Sequence, residues 1–251
     1  MRYAILSDIH SNLEALTAVL EHLAKERIDR YLCLGDLVGY GADPESCLAR
    51  LQAAQAISVC GNHEWACVGK VDVRWFNEAA RASVLWTRDR LSFTDLDFLR
   101  RLPLVATEDS LTLVHGTLSH PERFEYLVDL AQAVDTVKMC RTTSCCVGHT
   151  HVPFVFEYDL HRRQAGRVLS SSHELTEVQL SDDPMQVRYV INPGSVGQPR
   201  DGDPRASCAI LDTDAHRLFI RRIAYDVPTA QRKIRQAGLP DFLAQRLAVG
   251  R

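Results

Sequence analysis

Short apolar runs that each end in a cluster of polar residues recur along the first part of the chain. Continuous apolar runs of this length are typical of β-strands that are covered on both faces. Helical patterns lie between the runs, such as the apolar stripe formed by Leu13, Leu16, Leu20 and Leu23. We therefore predict an α/β protein whose first strands span residues 3–6, 31–34, 57–60, 111–114 and 145–147.

The polar clusters fall at the carboxyl ends of these predicted strands, where open α/β sheets bind their ligands. Asp8 and Asp36 are 28 residues apart, and Asp36 and Asn62 are 26 residues apart. Each interval is close to one strand-helix-strand step of about 30 residues, so the first three clusters are expected to lie side by side. In order, the clusters are Asp8-Ile9-His10, Gly35-Asp36, Gly61-Asn62-His63-Glu64, His115-Gly116 and Gly148-His149-Thr150-His151.

The side chains of these clusters offer oxygen or imidazole nitrogen atoms. Mixed carboxylate and imidazole ligands suit Mn²⁺, Fe, Zn²⁺ or Co²⁺ better than Mg²⁺ or Ca²⁺. There are too many donors for one ion and about enough for two ions that share a bridging carboxylate. In extended backbone Asp8 and His10 would point to the same side, whereas His149 and His151 could share an ion or reach different ions. The sequence therefore predicts a metal site.

Residues 152–224 follow a different pattern. The segments 152–156, 187–191, 206–211 and 218–223 are strand-like, and turn-rich stretches rather than helices join them. We therefore predict antiparallel pairing in this half. From about Val227 the pattern is helical, with Gly238 ending one helix and Pro240 starting another. Residues 1–251 are predicted to form a single domain with two sheets between helical layers.

Local signals also predict where helices start. Ser11 is expected to cap the first helix, with Glu14 completing a capping box. Pro44 is expected at the first position of the second helix. Residues 73–91 and 94–102 are predicted to form two further helices.

Composition excludes several classes of protein. The formal net charge of −3 argues against binding nucleic acid or an anionic membrane through bulk charge. Neither a signal peptide nor an apolar run of transmembrane length is evident, so we expect a cytoplasmic protein. The eight cysteines lack C-x-x-C spacing and are expected to be buried thiols. Histidines outside the clusters are expected at the surface; these are His22, His161, His173 and His216.

The clusters together resemble the calcineurin-like metallophosphoesterases, especially their small bacterial and archaeal branch. Segments 7–12, 35–41 and 192–200 also fit that branch, and the resemblance extends from about residue 2 to residue 212. Two features depart from the family pattern. Glu64 stands where many members have Asp, and residues 157–186 look like an added β-hairpin. The resemblance implies a four-layer α-β-β-α sandwich with two mixed sheets.

The same resemblance implies a role for each clustered residue. Asp36 would bridge two divalent ions, Mn²⁺ being the first choice and Fe, Zn²⁺, Ni²⁺ or Co²⁺ the alternatives. His63, which is not a ligand, would approach the substrate phosphate as an imidazolium, and Glu64 is a candidate to orient the ligating imidazoles. The remaining ligands divide into two sets, Asp8, His10 and His151 for one ion and Asn62, His115 and His149 for the other.

The implied activity is hydrolysis of a phosphoester by in-line attack of a metal-bridging hydroxide. A small phosphodiester or a pyrophosphate, including nucleotide-type compounds such as dinucleoside polyphosphates, is the expected substrate. Tyr40 could stack on a base or pack against its own helix. Arg200 could clamp a phosphate, and His120 could contact the substrate.

Two alternatives remain open at this point. The first is a phosphatase that acts on phosphoproteins or phosphomonoesters. The second is a non-catalytic binding protein on the same fold, which the presence of His63 and of all seven candidate ligands argues against. The expected partner is a small-molecule phosphoester, without constitutive nucleic-acid binding or membrane association, and a homo-oligomer is compatible with the sequence.

Overall fold

The computed structural model describes residues 1–170, 175–183 and 185–251. These residues contain eight α-helices and twelve strands. The strands are β1 Arg2–Leu6, β2 Arg30–Cys33, β3 Ile57–Ser58, β4 Val105–Glu108, β5 Leu111–Val114, β6 Ser144–Cys146, β7 Phe154–Asp159, β8 Gln164–Ser170, β9 Leu175–Gln179, β10 Val187–Asn192, β11 Ala206–Asp212 and β12 Arg217–Ile223. The α-helices are α1 Leu13–Leu23, α2 Pro44–Ala53, α3 Asn62–Cys67, α4 Glu78–Arg90, α5 Phe93–Arg101, α6 Leu130–Met139, α7 Val227–Gln236 and α8 Asp241–Gln245. Three 3₁₀ turns cover Val73–Trp75, Pro121–Arg123 and Arg246–Ala248.

The strands form two mixed sheets of six strands each. The first sheet has the order β3-β2-β1-β11-β12-β9, in which β1, β2 and β3 are parallel and the other neighbours are antiparallel. The second sheet has the order β4-β5-β6-β10-β7-β8, in which β5, β6 and β10 are parallel. The register places Ile5 between Leu32 and Ala209. The expectation of two mixed sheets is confirmed.

Side chains of the first strand alternate between two cores. Tyr3 and Ile5 face the second sheet, where they join a core with residues such as Leu113 and Ile191. Ala4 and Leu6 face the other way and pack against helices α1 to α5. Helix α6 covers the outer face of the second sheet, where Val137 packs in a third core. The order of layers is therefore helix, sheet, sheet, helix, as the resemblance implies.

One prediction about the later strands is confirmed, and one needs correction. The described strands within residues 152–224 pair with one another in antiparallel fashion, and β10 also pairs in parallel with β6, which precedes this segment. Residues 157–186 do not form one added hairpin: β8 pairs with β7 in the second sheet, whereas β9 pairs with β12 in the first. Each strand extends the edge of a different sheet. Residues 171–174, which include His173, and residue 184 lie outside the described residues.

Local capping differs from the sequence prediction in one place. Asn12, not Ser11, caps helix α1, because its side chain accepts a hydrogen bond from the Ala15 N–H at 3.1 Å. Pro44 does open α2. Residues 73–91 do not form one helix, since a 3₁₀ turn ends at Trp75 and α4 begins at Glu78 with Asn77 as its cap.

The C-terminal helices pack beside the polar edge of the sandwich. Lys233 of α7 forms ion pairs with Glu14 at 2.5 Å and with Asp43 at 3.0 Å, which ties α7 to α1 and to the start of α2. Helix α8 packs against α7 and contributes Leu243 and Ala244 to a small core that includes Tyr40.

The cysteines are free and buried, as expected. Among the residues that the structure describes, no helix has both the length and the apolar character needed to cross a membrane. His161 is exposed, whereas His22 and His216 are half-buried rather than fully at the surface.

Candidate metal centre

Five chain segments bring the predicted ligands to one edge of the sandwich. Asp8 and His10 follow β1, Asp36 follows β2, and Asn62 opens α3 after β3. On the other sheet, His115 follows β5, and His149 and His151 follow β6. Both sheets contribute because their parallel strands end at the same edge. The side chains that sequence analysis singled out are therefore brought together.

One group consists of Asp8, His10 and His151, whose candidate ligand atoms lie within 4.8 Å of one another. Asp8 Oδ1 lies 3.2 Å from His151 Nε2 and 3.9 Å from His10 Nε2. The second group consists of Asp36, His115 and His149, with Asp36 Oδ2 at 3.3 Å from His115 Nε2. The first group contains the three residues that the resemblance implies for one ion, and the second contains His115 and His149 of the other implied set together with Asp36. His149 and His151 therefore belong to different groups.

Asp36 lies between the two groups. Its Oδ2 atom is 3.7 Å from His10 Nε2 in the first group and 3.3 Å from His115 Nε2 in the second. Its other oxygen accepts a hydrogen bond from the His63 N–H at 3.0 Å. One carboxylate oxygen is therefore fixed by the backbone, and the other is left where it can serve both groups.

The hydrogen bonds of the imidazoles leave their inner nitrogen atoms without a proton. His10 Nδ1 lies 3.1 Å from the Val38 carbonyl, and His151 Nδ1 lies 2.5 Å from the Gln198 carbonyl. A carbonyl only accepts, so each Nδ1 carries the proton and each Nε2 of a neutral ring carries a lone pair. These two Nε2 atoms face each other at 3.2 Å. Two lone pairs at this distance repel unless a cation or a proton lies beside them.

His115 and His149 form a similar pair. His115 Nδ1 is held by the Leu34 carbonyl at 2.7 Å, and His115 Nε2 faces His149 Nδ1 at 3.0 Å. Burial lowers the pKa of His115, but Asp36 and Asp8 outweigh burial and raise the pKa to about 9. Burial dominates at His149 and lowers its pKa to about 3. The carboxylates thus favour positive charge at this position, whether a proton or a metal ion supplies it.

Buried polar atoms without hydrogen-bond partners also point towards the centre. Asp8 Oδ2 accepts from Ser7 Oγ and from the His149 N–H, whereas Asp8 Oδ1 has no partner among the described residues. Asn62 Oδ1 is likewise buried and unpartnered in that part of the chain. An unsatisfied buried oxygen is costly, and coordination of a cation would satisfy both atoms. The donor set therefore fits two divalent ions.

His63 occupies a closely packed position at the edge of the centre. Its ring lies 4.8 Å from His10, 4.5 Å from Tyr40 and 5.3 Å from Phe76, centroid to centroid. Burial lowers the pKa of His63 to about 4, an effect that Arg200 reinforces and Asp36 opposes. Burial therefore disfavours the expected imidazolium. His63 Nδ1 is buried and has no hydrogen-bond partner among the described residues.

Five of the seven candidate ligands have left-handed backbone conformations. The values of φ lie between 49° and 67° for Asp8, His10, Asp36, His149 and His151. Asp and His tolerate this region better than most residues, but it still carries a conformational cost. Asp8 and His10 therefore reach one group through two tight turns, not through the extended backbone expected from the sequence. Clustered left-handed residues are typical of functional sites.

Glu64 holds the loops rather than the imidazoles. Its carboxylate accepts hydrogen bonds from the backbone N–H groups of Asp36 and Gly61 at 2.8 Å and of Val38 at 3.2 Å. Burial raises the pKa of Glu64 to about 7, and Asp36 adds to this shift. The expectation that Glu64 orients imidazole rings is therefore wrong. Gly61 is required beside it, because a Cβ atom there would lie 2.1 Å from Asp36 Oδ1.

The segment after β10 supports the centre from the other side. Asn192 donates to the Gly148 carbonyl at 2.9 Å, and Ser195 Oγ donates to the Asp8 carbonyl at 2.8 Å. The Gln198 carbonyl anchors His151. Segment 192–200 therefore fixes the loops that carry Asp8 and His151.

The predicted substrate contacts have mixed outcomes. Tyr40 is 9% exposed and packs on His10 and His63, so it does not offer a free face for a base. Arg200 lies near the centre, donates to Gln198 Oε1 at 2.9 Å and places its guanidinium 5.9 Å from the Tyr40 ring. His120 is exposed and pairs with Glu122 at 3.7 Å.

An aromatic cleft of about 600 Å³ adjoins the centre, and sequence analysis missed most of its walls. Tyr126 stacks on His149 with ring centroids 3.9 Å apart. Trp75 is 87% exposed at the cleft, which Phe76 and Phe124 also line. Arg246, near Tyr40, was missed as well. No local pattern marks these residues, because they reach the centre only through tertiary packing.

Comparison with known proteins identifies the family. Residues 1–216 match the model of the calcineurin-like phosphoesterase superfamily domain. The chain is 39% identical over 252 residues to an uncharacterized protein of Methanocaldococcus jannaschii, covering 99% of this chain and 98% of the relative. The protein therefore belongs to the calcineurin-like phosphoesterase superfamily.

Solved structures agree with this assignment. A metallophosphoesterase from Sphaerobacter thermophilus is 39% identical and superposes with a TM-score of 0.85, with full coverage of both chains. A hypothetical protein from Pyrococcus horikoshii is 19% identical and has a TM-score of 0.76, covering 100% of this chain and 98% of its own, which shows that the fold is shared.

Proposed function

We propose that this protein is a dinuclear metal-dependent phosphoesterase that hydrolyses a small phosphodiester or a pyrophosphate. The observation that carries the proposal is the pair of facing, buried imidazoles in each group, with Asp36 between the groups. Asp8, His10 and His151 would hold one ion, and Asn62, His115 and His149 the other. Asp36 would bridge them. Mn²⁺ is the proposed metal, with Fe, Zn²⁺, Ni²⁺ or Co²⁺ as alternatives.

Two divalent ions would supply a Lewis-acidic centre that acidifies water and neutralises phosphate charge. The chain's own residues orient this centre. Carbonyl groups hold three imidazole rings in the tautomer that exposes Nε2, and backbone N–H groups hold one oxygen of each aspartate. The donors are therefore fixed before a substrate arrives.

His63 is proposed to act on the substrate phosphate. Its neutral ring offers one N–H group to a phosphate or leaving-group oxygen. A bound phosphate anion would also raise the pKa of the ring, in the direction opposite to the effect of burial. His63 is the candidate catalytic residue.

The aromatic cleft supports an organic, nucleotide-type substrate. Its volume of about 600 Å³ lies in the range of about 300–1,000 Å³ that is usual for small-molecule sites. Trp75 and Tyr126 present exposed rings next to the centre, and planar bases stack on such rings. A small-molecule phosphoester is thus the proposed partner.

Hydrolysis of model phosphoesters tests the proposal. We expect Mn²⁺-stimulated hydrolysis of p-nitrophenyl phosphate or of its bis ester, abolished by a chelator and by Asp36→Ala. Asp89→Ala is the matched control, because Asp89 is exposed on α4. A metal-loaded protein that hydrolyses no phosphoester would favour a binding protein instead, and a strong preference for phosphopeptides would favour a phosphoprotein phosphatase.

A further inference from the structure

Two arginines from distant parts of the chain lie around one tyrosine ring. The guanidinium carbon of Arg200 is 5.9 Å from the Tyr40 ring centroid, and that of Arg246 is 6.0 Å from it. The same tyrosine ring lies 4.5 Å from His10 and from His63. The Tyr40 ring therefore lies near both arginines and contacts two histidines of the metal centre.

Neither arginine forms an ion pair with an aspartate or glutamate side chain among the residues that the structure describes. Arg200 donates to the amide oxygen of Gln198, and Arg246 donates to a main-chain oxygen of Arg251. Both side chains are partly buried. Like charges in partly buried positions repel and are costly to desolvate, so a site of this kind favours an anion.

The electrostatics agree with this geometry. Burial, followed by the charge of Arg200, lowers the pKa of Arg246 to about 10. The charge of Arg200 also acts on His63 and on His151. The positive charge of Arg200 therefore acts both on Arg246 and on two histidines of the centre.

We propose that Arg200 and Arg246 bind a second phosphate group of the substrate, so that the protein acts on compounds with at least two linked phosphates. This inference rests on the proposed function and narrows it from phosphodiesters to phosphoanhydrides. One phosphate lies at the metal centre, and the next lies across Tyr40 between the guanidinium groups. The planar guanidinium donates two parallel hydrogen bonds to a phosphate.

Arg246 is the part of this site that the family assignment does not supply. It follows α8, beyond residue 216, where the match to the family model ends. Phe242 supports it, with its ring 5.2 Å from the guanidinium carbon. The C-terminal helices therefore place a charged side chain at the centre, and their role is specificity as well as packing.

Binding of phosphonates to the metal-loaded protein tests this site without turnover. Methylenediphosphonate carries two phosphorus atoms joined by carbon, and methylphosphonate carries one. We expect calorimetry to show that Arg246→Ala weakens methylenediphosphonate binding by about 10- to 100-fold, the usual loss for a charge-assisted hydrogen bond. In the same variant, the dissociation constant for methylphosphonate divided by that for methylenediphosphonate should fall towards 1. Arg50→Ala, at an exposed position of α2, is the matched control.

Two further variants separate the loss of the arginine charge from a loss of packing in α8. Arg246→Met retains the apolar packing on Tyr40 and Phe242, so it gives the same result even if Arg246→Ala loosens α8. Arg246→Lys should show an intermediate loss, because lysine keeps the charge without the planar fork. An equal loss for both phosphonates, or no loss for either, would overturn the proposal. If the wild type prefers the diphosphonate but hydrolyses no phosphoester, the assignment of a two-phosphate binding site holds, whereas the proposed hydrolysis fails.

Discussion

At the scale of single residues, His63 separates catalysis from metal binding. It belongs to a geometric group with His10 and Asp36, yet its ring faces Tyr40 and Phe76. We expect His63→Ala to keep both metal ions but to lower kcat by about 10²- to 10⁴-fold, the usual contribution of a positioned acid. Elemental analysis of the metal content and steady-state kinetics measure the two effects.

His161→Ala is the matched control, since His161 is exposed. Loss of one metal ion in His63→Ala would make His63 a ligand and contradict the assigned role.

Sequence reasoning found the candidate ligands because each follows a strand in a short polar motif. Asp8 and Asp36 could be placed side by side because each follows a predicted strand and their spacing is close to one strand-helix-strand step. Tyr126 and Arg246 could not be located in this way. They contact His149 and Tyr40 across large sequence separations, and nothing in the neighbouring residues marks such a contact.

At the scale of secondary-structure elements, the start of α3 fixes the geometry of two loops. Glu64 satisfies three backbone N–H groups with one buried carboxylate. Glu64→Gln replaces one of its oxygens with a donor that faces N–H groups. We expect a loss of about 1–3 kcal/mol in the free energy of unfolding, the cost of an unsatisfied buried donor, together with weaker metal binding. Urea unfolding and metal titration measure both.

The matched control is Glu21→Gln on the exposed face of α1. Unchanged stability in Glu64→Gln would show that the three hydrogen bonds contribute little.

Strand prediction succeeded for the central strands and for the edge strand β3, and it failed at the other edges of the two sheets. Strand β4 was missed, because its residues are only partly buried and lack a continuous apolar run. Residues 157–186 looked like one hairpin because strand patterns do not specify which sheet accepts them. Strand β8 pairs with β7, which directly precedes it, whereas β9 pairs with β12, three strands later in the chain.

At the scale of the whole molecule, the centre joins the two sheets. Asp8, His10, Asp36 and Asn62 come from the first sheet, and His115, His149 and His151 from the second. Metal ions that bind only the folded state should stabilise it by about 2.7 kcal/mol per site at 100 times Kd. For a chain of this size, we expect Tm to rise by about 5–10 °C for each site that Mn²⁺ fills.

Thermal unfolding with and without Mn²⁺ checks this expectation. Asp36→Ala should abolish most of the rise, because Asp36 would bridge both ions. A rise of equal size in that variant would place the stabilising metal elsewhere.

The left-handed backbone of five candidate ligands has a consequence for sequence variation. At Asp8, His10, Asp36, His149 and His151, a replacement must accept a positive φ as well as lose a donor. Asn62 and His115 carry no such backbone requirement. Under selection for folding alone, the five positions would drift mainly towards Gly, Asn, Asp or His, whereas the other two would accept a broader range. A lineage that abandoned catalysis would therefore keep traces of the centre at the first five positions and lose them sooner at Asn62 and His115.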